Sequence, residues 1–224
     1  YTSFPDGLGP FPVVVVAQHG AGVDSFIQKM CERLAEEGYA TVAPSLYHRI
    51  TDAMLADGSR PIHHLIDSEI IADIGAAVDF LRAQPSVDGE RIGITGFCLG
   101  GRVTWLGAAT NPHFKAAVSY YGGNLMLSWG DGSETPFDRS SGINCPLLFH
   151  FGEVDENPSQ DDMRMLDNEL SRLGKPHQFF VYPGADHAFM DSTSSRHRRQ
   201  AAEASWPRTL YFFSKHLKGV DVNA

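Results

Sequence analysis

Val13 to Gln18 (VVVVAQ) is an unbroken, largely β-branched run without polar alternation, which predicts a strand covered on both faces. A different rhythm follows. Ile27, Met30, Cys31, Leu34 and Ala35 recur at helical spacing, so Ser25 to Glu37 predicts a helix with one apolar stripe, ended by Gly38. Cys31 falls on that stripe and is read as packing. Tyr39 to Pro44 predicts the next strand, and residues 45–66 have no period. Asp67 to Ala83 then predicts a helix with Ile70, Ile74, Ala77 and Leu81 on one face. Strands are expected at Arg91 to Phe97, Lys115 to Tyr121, Pro146 to Phe151 and His177 to Tyr182. Helices are expected at Leu99 to Ala109, Gln160 to Leu173 and Ala201 to Leu217. Gly122 to Cys145 is a Gly/Ser/Asp-rich excursion without periodicity.

Six strands alternating with helices give an α/β architecture: a mostly parallel central sheet with helices on both faces. At 224 residues, with no linker, repeat or low-complexity tract, residues 1–224 are expected to form a single domain. The chain begins on Tyr1 rather than Met, which leaves room for a preceding segment. No charged-then-apolar leader opens it, and no apolar stretch approaches the roughly 20 residues of a membrane span.

A net charge of −9 changes the picture only by exclusion. Nucleic acid and anionic membrane both need a concentrated basic surface, and the one basic run, Arg196 to Arg199, reads as a solvated stretch. Three scattered cysteines, Cys31, Cys98 and Cys145, suit neither a disulfide framework nor a zinc site. Reduced thiols in a cytoplasmic enzyme are the expectation, with no metal and no cofactor. The adjacent His63 and His64 do not face one ligand on a helix, and they read as a solvated helix start. Nothing in the pattern sets the oligomeric state.

The chemistry concentrates at Gly96-Phe97-Cys98-Leu99-Gly100-Gly101, where a strand runs straight into a helix. This is a G-x-S-x-G nucleophile elbow with cysteine in the serine position. The turn is strained, and its glycines sit where a Cβ would clash. The helix opening at Leu99 directs free N–H groups and its positive end at Cys98, favouring the thiolate and offering the Leu99 N–H as an oxyanion donor. Asp155, in the loop after PLLFHF, and His187, in the loop after HQFFVY, follow in the order such a triad requires. Glu153, Glu156 and Asp161 are neighbouring carboxylates that could take the acid's place.

With these motifs and Ser45-Leu46-Tyr47-His48-Arg49, Tyr120-Tyr121-Gly122 and Asp186-His187-Ala188-Phe189, the sequence resembles the dienelactone hydrolase family of α/β-hydrolases from about Val13 to the C-terminus. The resemblance implies a cofactor-free hydrolase of small-molecule esters or lactones with a Cys98–His187–Asp155 triad. It also implies that Arg49 can face a substrate carboxylate, although the residue could equally form a structural ion pair. Two positions depart from the family pattern. A family glutamate that helps deprotonate the cysteine is replaced by His19, and a second carboxylate-binding arginine falls near Met190-Asp191. Both changes point away from dienelactone itself, toward a neutral or differently charged ester. The His19-Gly20 pair at the strand end is expected to supply the second oxyanion N–H, from Gly20 or Ala21. Tyr47, Ile62, Leu65, Trp129 and Phe137 are candidates for walls of an acyl pocket, or else local packing. Two other classes compete with an esterase or lactonase. One is a non-catalytic relative that binds a small ligand. The other is a thiol transferase or redox sensor, for which the sequence offers no resolving cysteine near Cys98.

Overall fold

The computed structural model describes residues 1–130 and 132–220. Its strands are β1 (Thr2–Ser3), β2 (Phe11–Ala17), β3 (Ala40–Val42), β4 (Val87–Phe97), β5 (Phe114–Tyr120), β6 (Leu147–Gly152) and β7 (His177–Tyr182). Its helices are α1 (Ser25–Glu36), α2 (Asp67–Arg82), α3 (Leu99–Thr110), α4 (Gln160–Arg172) and α5 (Arg199–Phe213), the last continuing as a π turn over Ser214–Lys218. The sheet runs β1-β3-β2-β4-β5-β6-β7, parallel throughout except for β1.

Strand β2 explains why the sheet needs two layers of helix. Side chains alternate across a strand, so its valines divide between faces. Val13, Val15 and Ala17 join a core with residues of α2, α3 and α4, while Val14 and Val16 join one with residues of α1 and α5. All five are fully buried. Gly93 on β4 is small for a reason: a Cβ there would lie 2.9 Å from the Phe213 ring of α5.

Helix α1 is capped by Asp24, whose Oδ1 accepts the N–H groups of Phe26 and Ile27. Helix α4 opens with a reciprocal Ser159–Asp162 capping box. None of the helices among the described residues is long and apolar enough to cross a membrane.

The sheet has seven strands, not the six expected. The extra one, β1, is a two-residue antiparallel edge pairing Thr2 with Val42 and Ser3 with Thr41, too short to carry a period. Strand β4 starts four residues before Arg91, at Val87. The segment containing His63 and His64 is a 3-10 turn (Pro61–His64), not a helix start, and His64 Nε2 lies 2.6 Å from the Ser59 hydroxyl. The long excursion holds a second such turn, Asp138–Gly142. Helix α5 begins at Arg199, two residues earlier than its apolar pattern suggests, and tolerates Pro207 inside it.

Candidate active site

The strand-to-helix turn between β4 and α3 puts Cys98 at φ 59°, ψ −116°, a conformation that costs energy for any residue with a side chain. Close backbone approach on both sides enforces it. A Cβ on Gly96 would sit 2.2 Å from the Gly100 carbonyl oxygen, and one on Gly100 would sit 2.3 Å from that of Ala17. The Cys98 N–H is held by the Tyr120 carbonyl at 3.0 Å. The thiol is thereby thrust out beyond the C-terminal ends of β2, β4 and β5, half-buried.

Two loops from the same end of the sheet reach it. The segment after β7 carries His187, whose Nδ1 donates to Asp155 Oδ2 at 2.9 Å. Asp155, from the loop after β6, is buried, and its Oδ1 accepts the Asn157 N–H at 2.9 Å. The Tyr121 ring packs against the imidazole, 5.0 Å away and tilted by 57°. The alternative carboxylates are placed otherwise: Glu153 accepts the Gly184 N–H, and Asp161 pairs with Arg164 on the exposed side of α4.

Electrostatics follow from this packing. Burial pushes the Cys98 thiol up, but hydrogen bonding and charge from His187, with the backbone N–H groups of Leu99 and Gly20, outweigh it, so the thiol lies below its ordinary value. Burial likewise opposes the His187 imidazolium, yet its bonds to Asp155 and Cys98 raise it to about 10. Both shifts run in the direction that favours the thiolate–imidazolium form of the pair.

The sequence profile of the dienelactone hydrolase family matches residues 1–217. The chain belongs to that family. Membership places it among the carboxylic ester hydrolases. A candidate carboxymethylenebutenolidase of Methylorubrum extorquens is 34% identical over 221 residues, spanning 96% of this chain and 76% of that relative. The crystal structure of a candidate dienelactone hydrolase from Klebsiella pneumoniae superposes with a TM-score of 0.87 at 32% identity, over 96% of this chain and 92% of the other. An acylaminoacyl peptidase of Pyrococcus horikoshii, 20% identical, shares the α/β-hydrolase fold alone, with a TM-score of 0.76 over 100% of this chain and 40% of its own.

Within this dienelactone hydrolase-family chain, the other sequence candidates take varied places. Arg49 is bidentate with Asp73 at 2.7 Å for each bond, an ion pair on the surface of α2. The Tyr47 hydroxyl donates to the Gly20 carbonyl at 2.9 Å and so braces the His19-Gly20 loop. His19 Nε2 lies 2.9 Å from Asp24 Oδ2, and its ring packs 5.6 Å from Phe26. Asp191 is occupied locally, accepting from the N–H and hydroxyl of Thr193. Trp129 stacks at 4.0 Å on the Arg102 guanidinium and, with Ile62, Leu65 and Asn124, lines a cleft of about 490 Å³.

That cleft also holds Arg60, which no sequence pattern marks. One of its guanidinium nitrogens lies 3.7 Å from where a Gly20 Cβ would be, and among the described residues no carboxylate pairs with it. Residues 45–66 have no period to announce which side chain turns inward, so no local signal could have singled it out. A second, polar cleft of about 450 Å³ reaches the imidazole itself, lined by Asp155, Glu156, Asn157, Asp186, His187 and Arg196.

Proposed function

We propose that this protein hydrolyses small carboxylic esters or lactones with Cys98 as nucleophile, His187 as acid and base, and Asp155 as the group that orients the imidazole. The single observation that carries the reading is the continuous chain of contacts from Asp155 through His187 to a thiol on a strained elbow.

In this mechanism the Cys98 thiolate attacks the carbonyl carbon, and the oxyanion is stabilised by the N–H groups of Leu99 and Gly20. The tetrahedral intermediate collapses as the imidazolium of His187 gives its proton to the departing alkoxide, leaving a thioester and a neutral imidazole. Water then enters. His187 takes one of its protons while the oxygen adds to the thioester carbonyl, and collapse releases the acid and restores the thiolate–imidazolium pair. Asp155 accepts the hydrogen bond from Nδ1 throughout and keeps the imidazole oriented. No metal or cofactor is needed for any step.

Arg60 bears on the substrate. The departures at His19 and near Met190-Asp191 pointed to a neutral or differently charged ester, and a guanidinium with no carboxylate partner among the described residues, beside the Gly20 loop, supplies a positive pole to the acyl cleft. Esters or lactones with a carboxylate on the acyl side fit that pole. The names of its relatives, carboxymethylenebutenolidase and dienelactone hydrolase, agree with such a substrate.

The test is turnover of a short-chain p-nitrophenyl ester panel by wild type, Cys98→Ala and Cys98→Ser. Loss of activity in the alanine variant, with a trapped thioester in wild type detected by mass spectrometry, is the expected result. An alanine variant as active as wild type would sink the proposal and leave a ligand-binding role for the cleft.

A further inference from the structure

Two asparagines lie between the nucleophile helix and the acid loop, and neither belongs to the reacting set. Asn124 follows β5 in the left-handed region, at φ 57°. Its carbonyl accepts a hydrogen bond from Arg102, a buried residue one turn into α3 after Cys98. Its N–H donates to Asn157 Oδ1 at 2.9 Å, and its own Oδ1 accepts from Asn157 Nδ2 at 3.1 Å. The Asn157 N–H in turn donates to Asp155 Oδ1 at 2.9 Å. The fit is close: a Cβ on Gly123 would sit 2.2 Å from Asn157 Oδ1, so only glycine leaves the amide its slot.

We propose that the Asn124–Asn157 amide clasp is a positioning device that registers the acid-bearing loop against the nucleophile-bearing helix, with Asn157 acting on catalysis through Asp155. This rests on the triad reading above. Cys98 and Asp155 come from elements far apart in sequence, and His187 has to span both. One end of the span is fixed by α3, whose Arg102 holds Asn124. The other is fixed by the peptide of Asn157, which holds the carboxylate oxygen that His187 does not use. The clasp joins these two anchors, so the nucleophile helix and the acid loop are tied by hydrogen bonds that do not pass through the imidazole. Small misplacements of such a supporting shell cost rate and not binding, because the charge pair is stabilised only in the correct geometry. Loosening the clasp weakens Asp155's hold on the imidazolium, which in turn lowers the fraction of Cys98 present as thiolate at neutral pH.

The experiment compares Asn157→Ala, Asn124→Gly and the double variant with wild type and Cys98→Ala. Glycine suits the left-handed site at 124, so that variant folds even if Asn157→Ala does not. Readouts are kcat and KM on a p-nitrophenyl ester and the pH profile of Cys98 alkylation by iodoacetamide. For Asn157→Ala, kcat is expected to fall about tenfold with KM within about twofold, and for Asn124→Gly, which loses one of the two amide bonds, about threefold. In both, the alkylation inflection moves to higher pH, and the double variant behaves as Asn157→Ala alone. An unmoved inflection beside reduced kcat gives Asn157 a folding role only and overturns the proposal. So does a double variant whose losses multiply. If Cys98→Ala is inactive while the clasp variants match wild type, the clasp alone falls. If Cys98→Ala keeps full activity, the hydrolytic reading falls and the clasp with it.

Discussion

Breaking the Arg102–Asp67 pair tests how the substrate cleft is held to the catalytic helix. The Arg102 side chain is 1% exposed and that of Asp67 9%, so solvent screens little of their interaction. The guanidinium meets both carboxylate oxygens at 2.7 Å, bonds the Asn124 carbonyl and lies under the Trp129 ring. Asp67 Oδ2 also accepts the Trp129 N–H at 2.9 Å, while its own N–H donates to the Trp129 carbonyl. Arg102→Met removes the cation and leaves a buried carboxylate uncompensated, a loss of about 3–5 kcal/mol. At this chain length that lowers Tm by about 10 °C. Pairing it with Asp67→Leu removes the stranded charge, and the remaining deficit is the orphaned Trp129 N–H, about 1–3 kcal/mol. Urea midpoints for the two single variants and the double variant give the coupling energy directly. KM is expected to rise in Arg102→Met, because the Trp129 wall loses its platform. A single variant costing under about 1 kcal/mol, or a double variant as unstable as the sum of its parts, would refute the argument that this pair carries the cleft wall.

Three further outcomes are expected. Folding raises His187 from an ordinary 6.5 to about 10, so the stability its proton contributes is complete below 6.5 and is lost as pH rises through about 10. Cys98 lies on the opposite limb, its thiolate lost as pH falls through its depressed value. The profile of kcat/KM should therefore keep an alkaline limb near 10, and an alkaline limb near 6.5 instead would contradict the ion pair. Gly100→Ala drives a Cβ to 2.3 Å from the Ala17 carbonyl oxygen and should cost about 3 kcal/mol or more in urea unfolding, whereas Gly75→Ala, in open space on α2, should gain about 0.5–1 kcal/mol. Arg60→Gln should lower kcat/KM at least about tenfold for an ester with an acyl-side carboxylate and leave its neutral isostere within about twofold. Equal loss on both substrates would remove Arg60 from the specificity argument.

What the sequence made legible was whatever local chemistry or period announces. The valines of β2 and the stripe of α1 declare their burial through spacing. The elbow declares itself because glycines two residues either side of a cysteine, where a strand meets a helix, mark a turn too tight for a Cβ. β1 escaped because two residues hold no period, and its partner Val42 lies forty residues away. Arg49 and Arg60 show the limit most clearly. Both lie in the aperiodic stretch before α2, and the sequence singled out Arg49 because it stands in a recognisable motif, with a substrate contact and a structural ion pair equally open. Asp73 on α2 occupies Arg49, while Arg60 turns toward Gly20; that choice is made by tertiary contacts alone. The Asn124–Asn157 clasp was invisible for the same reason, since its partners are 33 residues apart.

Asp24 touches two parts of the molecule at once. One carboxylate oxygen caps the first turn of α1, and the other lies 2.9 Å from Nε2 of His19, the residue before Gly20. Any excursion of the glycine loop that pulls His19 away also disturbs the cap. The amide hydrogens of Phe26 and Ile27, buried at the head of α1, thus become a clock for the loop: their exchange with deuterated water should speed up when it swings open and slow when an inhibitor fills the oxyanion site. Active-site breathing could then be timed from a helix that never touches substrate.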